Sequence, residues 1–186
     1  MADRNIVYFD LETQRSFNDV GNAKDKMGVS VAVTYSTARG SYEIYGEGEL
    51  DQLGEELVKA DLVVGWNHVQ FDYPVLQPYV FPTLAEQTVN LDMMLAVQEI
   101  LGHRLKLDAV ASASLGTGKT ADGLDALKWW QEHKKSGDFE PLRKIAEYCA
   151  YDVKVTKCVH EFALEHGLLK YGDKLGNVSE VQVAWT

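Results

Sequence analysis

The first apolar run of the chain, Ile6-Val7-Tyr8-Phe9-Asp10-Leu11-Glu12-Thr13, is rich in β-branched and aromatic residues and predicts a buried strand. Val29 to Ser36 (VSVAVTYS) and Ser41 to Gly48 (SYEIYGEG) read as two more strands, and the turn with Gly40 between them predicts a hairpin. The period then changes. Leu50, Leu53, Leu57 and Val58 recur at helical spacing, so Leu50 to Ala60 is expected to be a helix and DLVVGWN a buried strand after it. Asp72 opens another helix with Pro74 in its first turn, and Pro78 and Pro82 limit its length. A short strand (Thr88 to Leu91) and a helix (Met93 to Leu101) follow. From Leu105 to Gly167 the pattern is mostly helical, broken near Gly116 to Gly123 and near Ser136-Gly137, and the last helix runs through EYCAYDVKVTKCVHEFALEHG. The tail, VSEVQVAW, alternates like a final strand at a sheet edge. Strands first and helices interleaved later predict an α/β domain with a mixed sheet, and 186 residues at 46% hydrophobic content fit one domain spanning 1–186.

Composition narrows the setting. The N-terminus has charge before only a short apolar run, and no stretch has the length needed to span a bilayer, so no membrane association and a cytoplasmic address are expected. Cys149 and Cys158, nine residues apart in a helical pattern, are expected to be ordinary reduced thiols. A net charge of -10 argues against a nonspecific nucleic-acid coat protein, but an active site holding divalent cations meets phosphate through those ions. The acid is uneven: between His103 and Lys144, eight Lys and Arg face six Asp and Glu, making that segment the best basic candidate.

The candidate chemistry begins in the first strand. Strand side chains alternate, so Asp10 and Glu12 project together while Phe9 and Leu11 point the other way. Two anions held side by side repel unless protons or cations intervene. Asp72, after a strand and a loop in GWNHVQFDYPVL, has the position of a helix N-cap as well as that of a ligand. Tyr148 and Asp152 in EYCAYDVKVT are four residues apart and share one helix face, a spacing that core-boundary residues also adopt.

Taken in order, these motifs resemble the DEDDy branch of the 3′-5′ exonuclease superfamily, whose ribonuclease-H-like fold includes polymerase proofreading domains. Asp10-Leu11-Glu12-Thr13 is similar to its first motif, Phe71-Asp72 to its second, and Tyr148 with Asp152 to its Tyr-x-x-x-Asp third. The histidine branch would place His five residues before Asp152, where this chain has Glu147. One departure is local: His68 stands where proofreading domains carry Asn, and Asn67 lies one residue further away. The resemblance covers Ile6 to about Gly167 and implies a ribonuclease-H-like mixed β-sheet flanked by helices. It further implies removal of nucleotides from the 3′ end of DNA or RNA as nucleoside 5′-monophosphates, with two divalent cations, Mg²⁺ or Mn²⁺. In that scheme one ion activates the attacking water and the other stabilises the leaving 3′-oxygen. Asp10 would bridge the ions, Glu12 and Asp152 would hold the first, Asp72 would act on the second, and Tyr148 would orient the water. Thr13 and Asn67 become candidate substrate contacts, although a Thr13 hydroxyl bonded to local backbone is the plain alternative. Similarity to stand-alone and helicase-associated members adds a helicase or other nucleic-acid-processing protein as a partner. The rival readings are a structure-selective endonuclease on the same fold and a catalytically silent nucleic-acid or protein-binding module.

Two further motifs invite a function. LGTGKT (Leu115 to Thr120) resembles a nucleotide-binding P-loop, but Ala113 stands where the first glycine is required and LKLDAVASAS before it reads as a helix. A C-cap at Gly116 accounts for the pattern, and Lys119 remains a candidate phosphate contact. In GLDALKWWQEHKK, the helical face is expected to centre on Leu124, Leu127 and Gln131, which puts Trp130 beside the core and leaves Trp129 as a candidate base-stacking residue. The five histidines have no metal-ligand spacing on a common helix face.

Overall fold

A computed structural model describes residues 4–80, 84–116, 123–172 and 176–186. The strands are β1 (Ile6–Thr13), β2 (Val29–Ser36), β3 (Ser41–Tyr45), β4 (Leu62–Gly65), β5 (Asn90–Asp92), β6 (Leu168–Gly172) and β7 (Val178–Gln182). The α-helices are α1 (Leu50–Lys59), α2 (Asp72–Leu76), α3 (Leu84–Gln87), α4 (Met93–Leu101), α5 (Leu107–Leu115), α6 (Gly123–Ser136) and α7 (Phe139–His166). Five strands form one mixed sheet in the order β3-β2-β1-β4-β5. β1 is antiparallel to β2 and parallel to β4, so the central strand is covered on both edges and needs apolar side chains on both faces.

Alternation along β1 divides the core in two. Tyr8 points with Val31, Val33, Leu62 and Val64 into a cluster closed by Met93 and Val97 of α4, Val110 of α5, Ala126 of α6 and Ile145, Cys149 and Val153 of α7. Val7, Phe9 and Leu11 point the opposite way, with Ala32 and Val63, onto Leu50, Leu53 and Leu57 of α1 and Val75 and Leu76 of α2. The period-3.6 apolar stripe read from α1 is therefore the one that is buried.

The hairpin, the first helix, the buried β4 and the Gly116 cap form as the pattern predicts; Gly116 has φ 70 and its N–H donates to the Ser112 carbonyl at 3.1 Å. Three details differ. β3 stops at Tyr45, because the Glu49 carboxylate accepts from the Gly46 N–H at 3.0 Å and closes a 3-10 turn over Glu47–Glu49. The strand expected from Thr88 to Leu91 is Asn90–Asp92, since Thr88 caps back onto the Leu84 carbonyl of α3. The tail strand does not join the main sheet. It is β7, paired antiparallel to β6, a strand hidden in LLKYG directly after the long helix. Leu169 and Val181 bury this hairpin against the same core as α5 and α7.

Candidate metal-dependent active site

The carboxylates meet at the C-terminal end of β1, where the strand outruns its parallel neighbour. β4 pairs with β1 only over Ile6 to Tyr8, whereas β2 continues to Thr13. A crevice therefore opens beyond β4, at the place where strand order reverses, which is where open α/β sheets bind ligands. Beyond the end of β4, the Leu11 N–H finds its acceptor in Asp72, whose Oδ1 lies 3.2 Å away. Asp72 is the first residue of α2 and not its cap; the cap position is Phe71, whose side chain makes no capping hydrogen bond, while the Asp72 carboxylate accepts from its own backbone N–H and from that of Leu11. The competing helix-cap reading of Asp72 thus gives way to a carboxylate tied to β1.

Asp10 and Glu12 face α7, as their spacing requires. Asp152 approaches them from that helix, and one carboxylate oxygen of each of the three residues lies within 4.8 Å of the others. The register of β1 against β2 shifts between Glu12 and Thr13, a bulge of the kind that re-aims strand ends beside sites. Burial followed by mutual repulsion drives the proton affinities of Asp10 and Glu12 up. The Asp10 carboxyl is held well above the ordinary range by burial, then by Asp72, Asp152 and Glu12. Burial, Asp152 and Asp72 do the same to Glu12. Asp72, only 3% exposed, is pushed up to about 7, mainly by burial and with a contribution from Asp92, against the lowering effect of backbone hydrogen bonds.

Tyr148, one turn before Asp152, joins the cluster through a hydrogen bond to the Asp152 carboxylate. Burial, followed by the Asp152, Glu12 and Asp10 charges, holds its phenol firmly protonated. Cys149 is free, in keeping with an ordinary reduced thiol, but its place is particular: Sγ donates to the Asp10 carbonyl at 3.4 Å and lies 3.6 Å from Asp10 Oδ2. The signal available in the sequence was its position between Tyr148 and Asp152, three residues before the latter on the same helical side.

The loop from Trp66 to Phe71 carries Asp72 into place, and a buried residue far along the chain shapes it. Asp92 accepts from the N–H groups of Asn67 at 2.8 Å, Val69 at 3.0 Å and Leu95 at 3.2 Å, so one carboxylate caps α4 and pins the loop. Asn67 is held at φ 68, and its Oδ1 is buried without a hydrogen-bond partner among the described residues. His68, the departure from the proofreading pattern, is an internal brace: Nε2 meets Asn90 Oδ1 at 3.1 Å and the ring packs edge-on against Tyr73. Gly65 is required by it, since a Cβ there would lie 2.7 Å from His68 Nδ1. Burial lowers the His68 proton affinity despite the nearby Asp92.

Asp10, Glu12, Asp72 and Asp152 all line a cleft of ≈ 310 Å³, whose walls include Phe17, Trp66, Phe71 and, from α6, Leu124 and Leu127. Thr13 lines it too, while its hydroxyl donates to the Arg15 carbonyl at 3.0 Å, so the plain local bond is present at a cleft position. Lys119 falls outside the described residues, as does most of LGTGKT. The face expected for α6 is rotated. Ala126 is its fully buried position, Trp129 and Trp130 at three and four residues on both pack half-buried against the larger core, and Leu124 is 63% exposed at the cleft. Trp129 is not among the described residues that line the cleft.

A family profile described as the RNase_H superfamily matches residues 7–163, which holds every residue of the acidic cluster. The chain belongs to the RNase H superfamily. No curated protein sequence matches it. Among solved structures, it is similar to the family B DNA polymerase from the hyperthermophilic archaeon Pyrobaculum calidifontis, with a TM-score of 0.62 and 18% identity. The match covers 87% of this chain and 24% of the polymerase chain, so the domain spans about a quarter of that relative, and the likeness is one of fold. As an RNase H superfamily member, the chain has the ribonuclease-H-like α/β architecture and an acidic triad compatible with divalent metal. Among the described residues no helix is long and apolar enough to cross a membrane.

Proposed function

We propose that the domain is a metal-dependent 3′-5′ exonuclease of the tyrosine-containing DEDD type, acting on DNA or RNA through two divalent cations. The observation that carries the reading is the meeting of Asp10, Glu12 and Asp152 within 4.8 Å at the floor of a cleft, with the fourth acid, Asp72, lining the same space. The donor set fits hard cations: it consists of carboxylate oxygens, which favour Mg²⁺ or Mn²⁺ over metals that seek sulfur or imidazole. In this reading Asp10, Glu12 and Asp152 hold one ion, and Asp10 with Asp72 hold the other. When bound, the ions supply an activated water and charge stabilisation at the leaving 3′-oxygen.

The chain's own residues do the rest. Tyr148 keeps its proton, so its role is to orient water by a hydrogen bond and not to remove a proton. Phe17, Phe71, Leu124 and Leu127 offer apolar surface to a terminal nucleoside beside the acids. The loop pinned by Asp92 keeps Asp72 against Leu11. Thr13, Asn67, Lys119 and Trp129 remain proposed substrate contacts, and a helicase or other nucleic-acid-processing protein a proposed partner.

The test is digestion of end-labelled single- and double-stranded DNA and RNA with Mg²⁺ or Mn²⁺, with and without a blocked 3′ end. Stepwise release of nucleoside 5′-monophosphates, stopped by the block and lost in Asp10→Ala, is the expected result. Internal cuts that ignore the block would make the domain an endonuclease, and binding without cleavage would make it a silent module.

A further inference from the structure

Although the chain carries a net charge of -10, two of its cations are turned to neutral oxygens beside the cleft. Lys24, in the 3-10 turn between β1 and β2, donates through Nζ to the Gln70 carbonyl at 2.5 Å. Arg104, after α4, donates through Nη2 to the side-chain oxygen of the same Gln70 and through Nε to Gln98 Oε1 at 3.2 Å. Among the described residues several cations, Arg15, Lys26 and Lys106 included, stand outside the ion pairs that hold Arg39, Lys59, Lys128, Arg143, Lys157 and Lys170; what sets Lys24 and Arg104 apart is that both converge on one residue, Gln70.

Both cations are anchored to Gln70, which faces a separate hollow with Gln98 and Glu99 next to the wall of the cleft. Gln70 immediately precedes Phe71, which lines the cleft and packs on Phe17 with ring centres 5.5 Å apart. The segment bearing Arg104 is tied to the same wall where the Trp66 indole N–H donates to the Leu105 carbonyl at 3.3 Å. Lys106, exposed, follows on that segment. An ammonium has three donors and a guanidinium five, so each group keeps donors beyond those it spends on amide oxygens. A phosphate oxygen is a stronger acceptor than an amide, because the hydrogen bond is charge-assisted from both sides. Asp25 and Glu99 lie close by in sequence or in the shallow hollow beside Gln70, so the lip depends on these particular donors and not on a broad positive field.

We infer that Lys24 and Arg104, joined through Gln70, form a phosphate-gripping lip that holds the sugar–phosphate backbone of a nucleic-acid strand entering the cleft. This rests on the nuclease reading and adds the strand's path to it. Neither residue touches the acidic cluster, so the lip contributes to affinity and not to the chemical step.

The experiment measures binding of a fluorescent single-stranded oligothymidylate to the Asp10→Asn chain with Mg²⁺, as fluorescence anisotropy over a series of KCl concentrations. For single strands, each phosphate contact contributes about 0.7 to the slope of log affinity against log salt, or about fourfold in affinity at about 0.15 M salt. Lys24→Gln and Arg104→Gln should each lower the slope and the affinity by that amount, and the double variant should weaken binding about fourteenfold. Lys24→Arg and Arg104→Lys should restore most of the slope, while Lys59→Gln, on α1 and paired with Glu55, should leave it unchanged. Wild-type slopes in both Gln variants, with the strand still bound and cleaved by the native chain, would overturn the lip and leave the nuclease reading standing. No strand binding by any form of the protein would overturn both.

Discussion

Replacing Asp72 by Asn should make the metal-free protein more stable at neutral and alkaline pH while removing its activity. Asp72 is buried, and its carboxyl is pushed from 3.8 up to about 7, first by desolvation and then by Asp92, with backbone hydrogen bonds acting against the rise. A carboxyl that binds its proton more tightly in the folded state than in the unfolded one favours folding only while it is protonated. Below about 4 both states hold the proton and the charge costs nothing. Between about 4 and 7 the folded state binds more protons, so stability falls as pH rises, and above about 7 the loss is complete. The difference between 3.8 and about 7, at about 1.36 kcal/mol per tenfold change in proton affinity, sets a ceiling of about 4 kcal/mol. Water entering the cleft and the neighbouring carboxylates, which share the same protons, reduce it, so a gain of about 1–3 kcal/mol at pH 8 is expected for Asp72→Asn. Asn keeps an oxygen for the Leu11 N–H, so the substitution removes charge without opening a cavity or orphaning a donor. The assay is urea unfolding of both proteins in EDTA at pH 4, 6 and 8. The gain should be largest at pH 8, smaller at pH 6 and absent at pH 4, and millimolar Mg²⁺ or Mn²⁺ at pH 8 should stabilise the wild type more than the variant. A variant no more stable than wild type at pH 8, or one with the same gain at pH 4, would refute the account of a strained buried acid.

Tyr148→Phe should retain fold and metal-induced stabilisation while turnover falls about ten- to a thousandfold, whereas Asp152→Asn should lose the metal response as well; metal titration and single-turnover rates on both separate the positioning role from the ligand role. Asp92→Ala leaves three N–H groups without their acceptor and should cost about 3 kcal/mol or more in chemical unfolding, with Asp92→Asn milder because it keeps an oxygen. Trp129→Ala and Trp130→Ala should lose similar stability, about 2 kcal/mol each, since both half-bury against one core; a thermal shift confined to Trp130→Ala would restore the helix face expected from the sequence.

The sequence by itself was enough to place β1 and its paired acids, because strand alternation is local and puts Asp10 and Glu12 on one side whatever surrounds them. The helical spacing of Tyr148 and Asp152 was legible for the same reason, and with it the resemblance that tied four acids separated by up to 142 positions into one site. Which competing role each residue takes was a tertiary matter. Asp72 could have capped its helix, and it is the early end of β4 that leaves the Leu11 N–H for it. Asp92 falls between the expected strand, Thr88 to Leu91, and the expected helix, Met93 to Leu101, yet it holds a loop 25 residues earlier, a contact no local pattern encodes. Cys149 is the free, buried thiol its pattern suggests, but its place against Asp10 is set only by the packing of α7 on β1. On α6 the face expected to centre on Leu124, Leu127 and Gln131 is not the buried one: the small Ala126 is, both tryptophans pack half-buried against the core, and Leu124 stays exposed at the cleft, a rotation that only packing decides. β6 is not legible in the sequence because five residues of mixed character after a helix carry no period of their own; β7 and the core beneath Leu169 make them a strand.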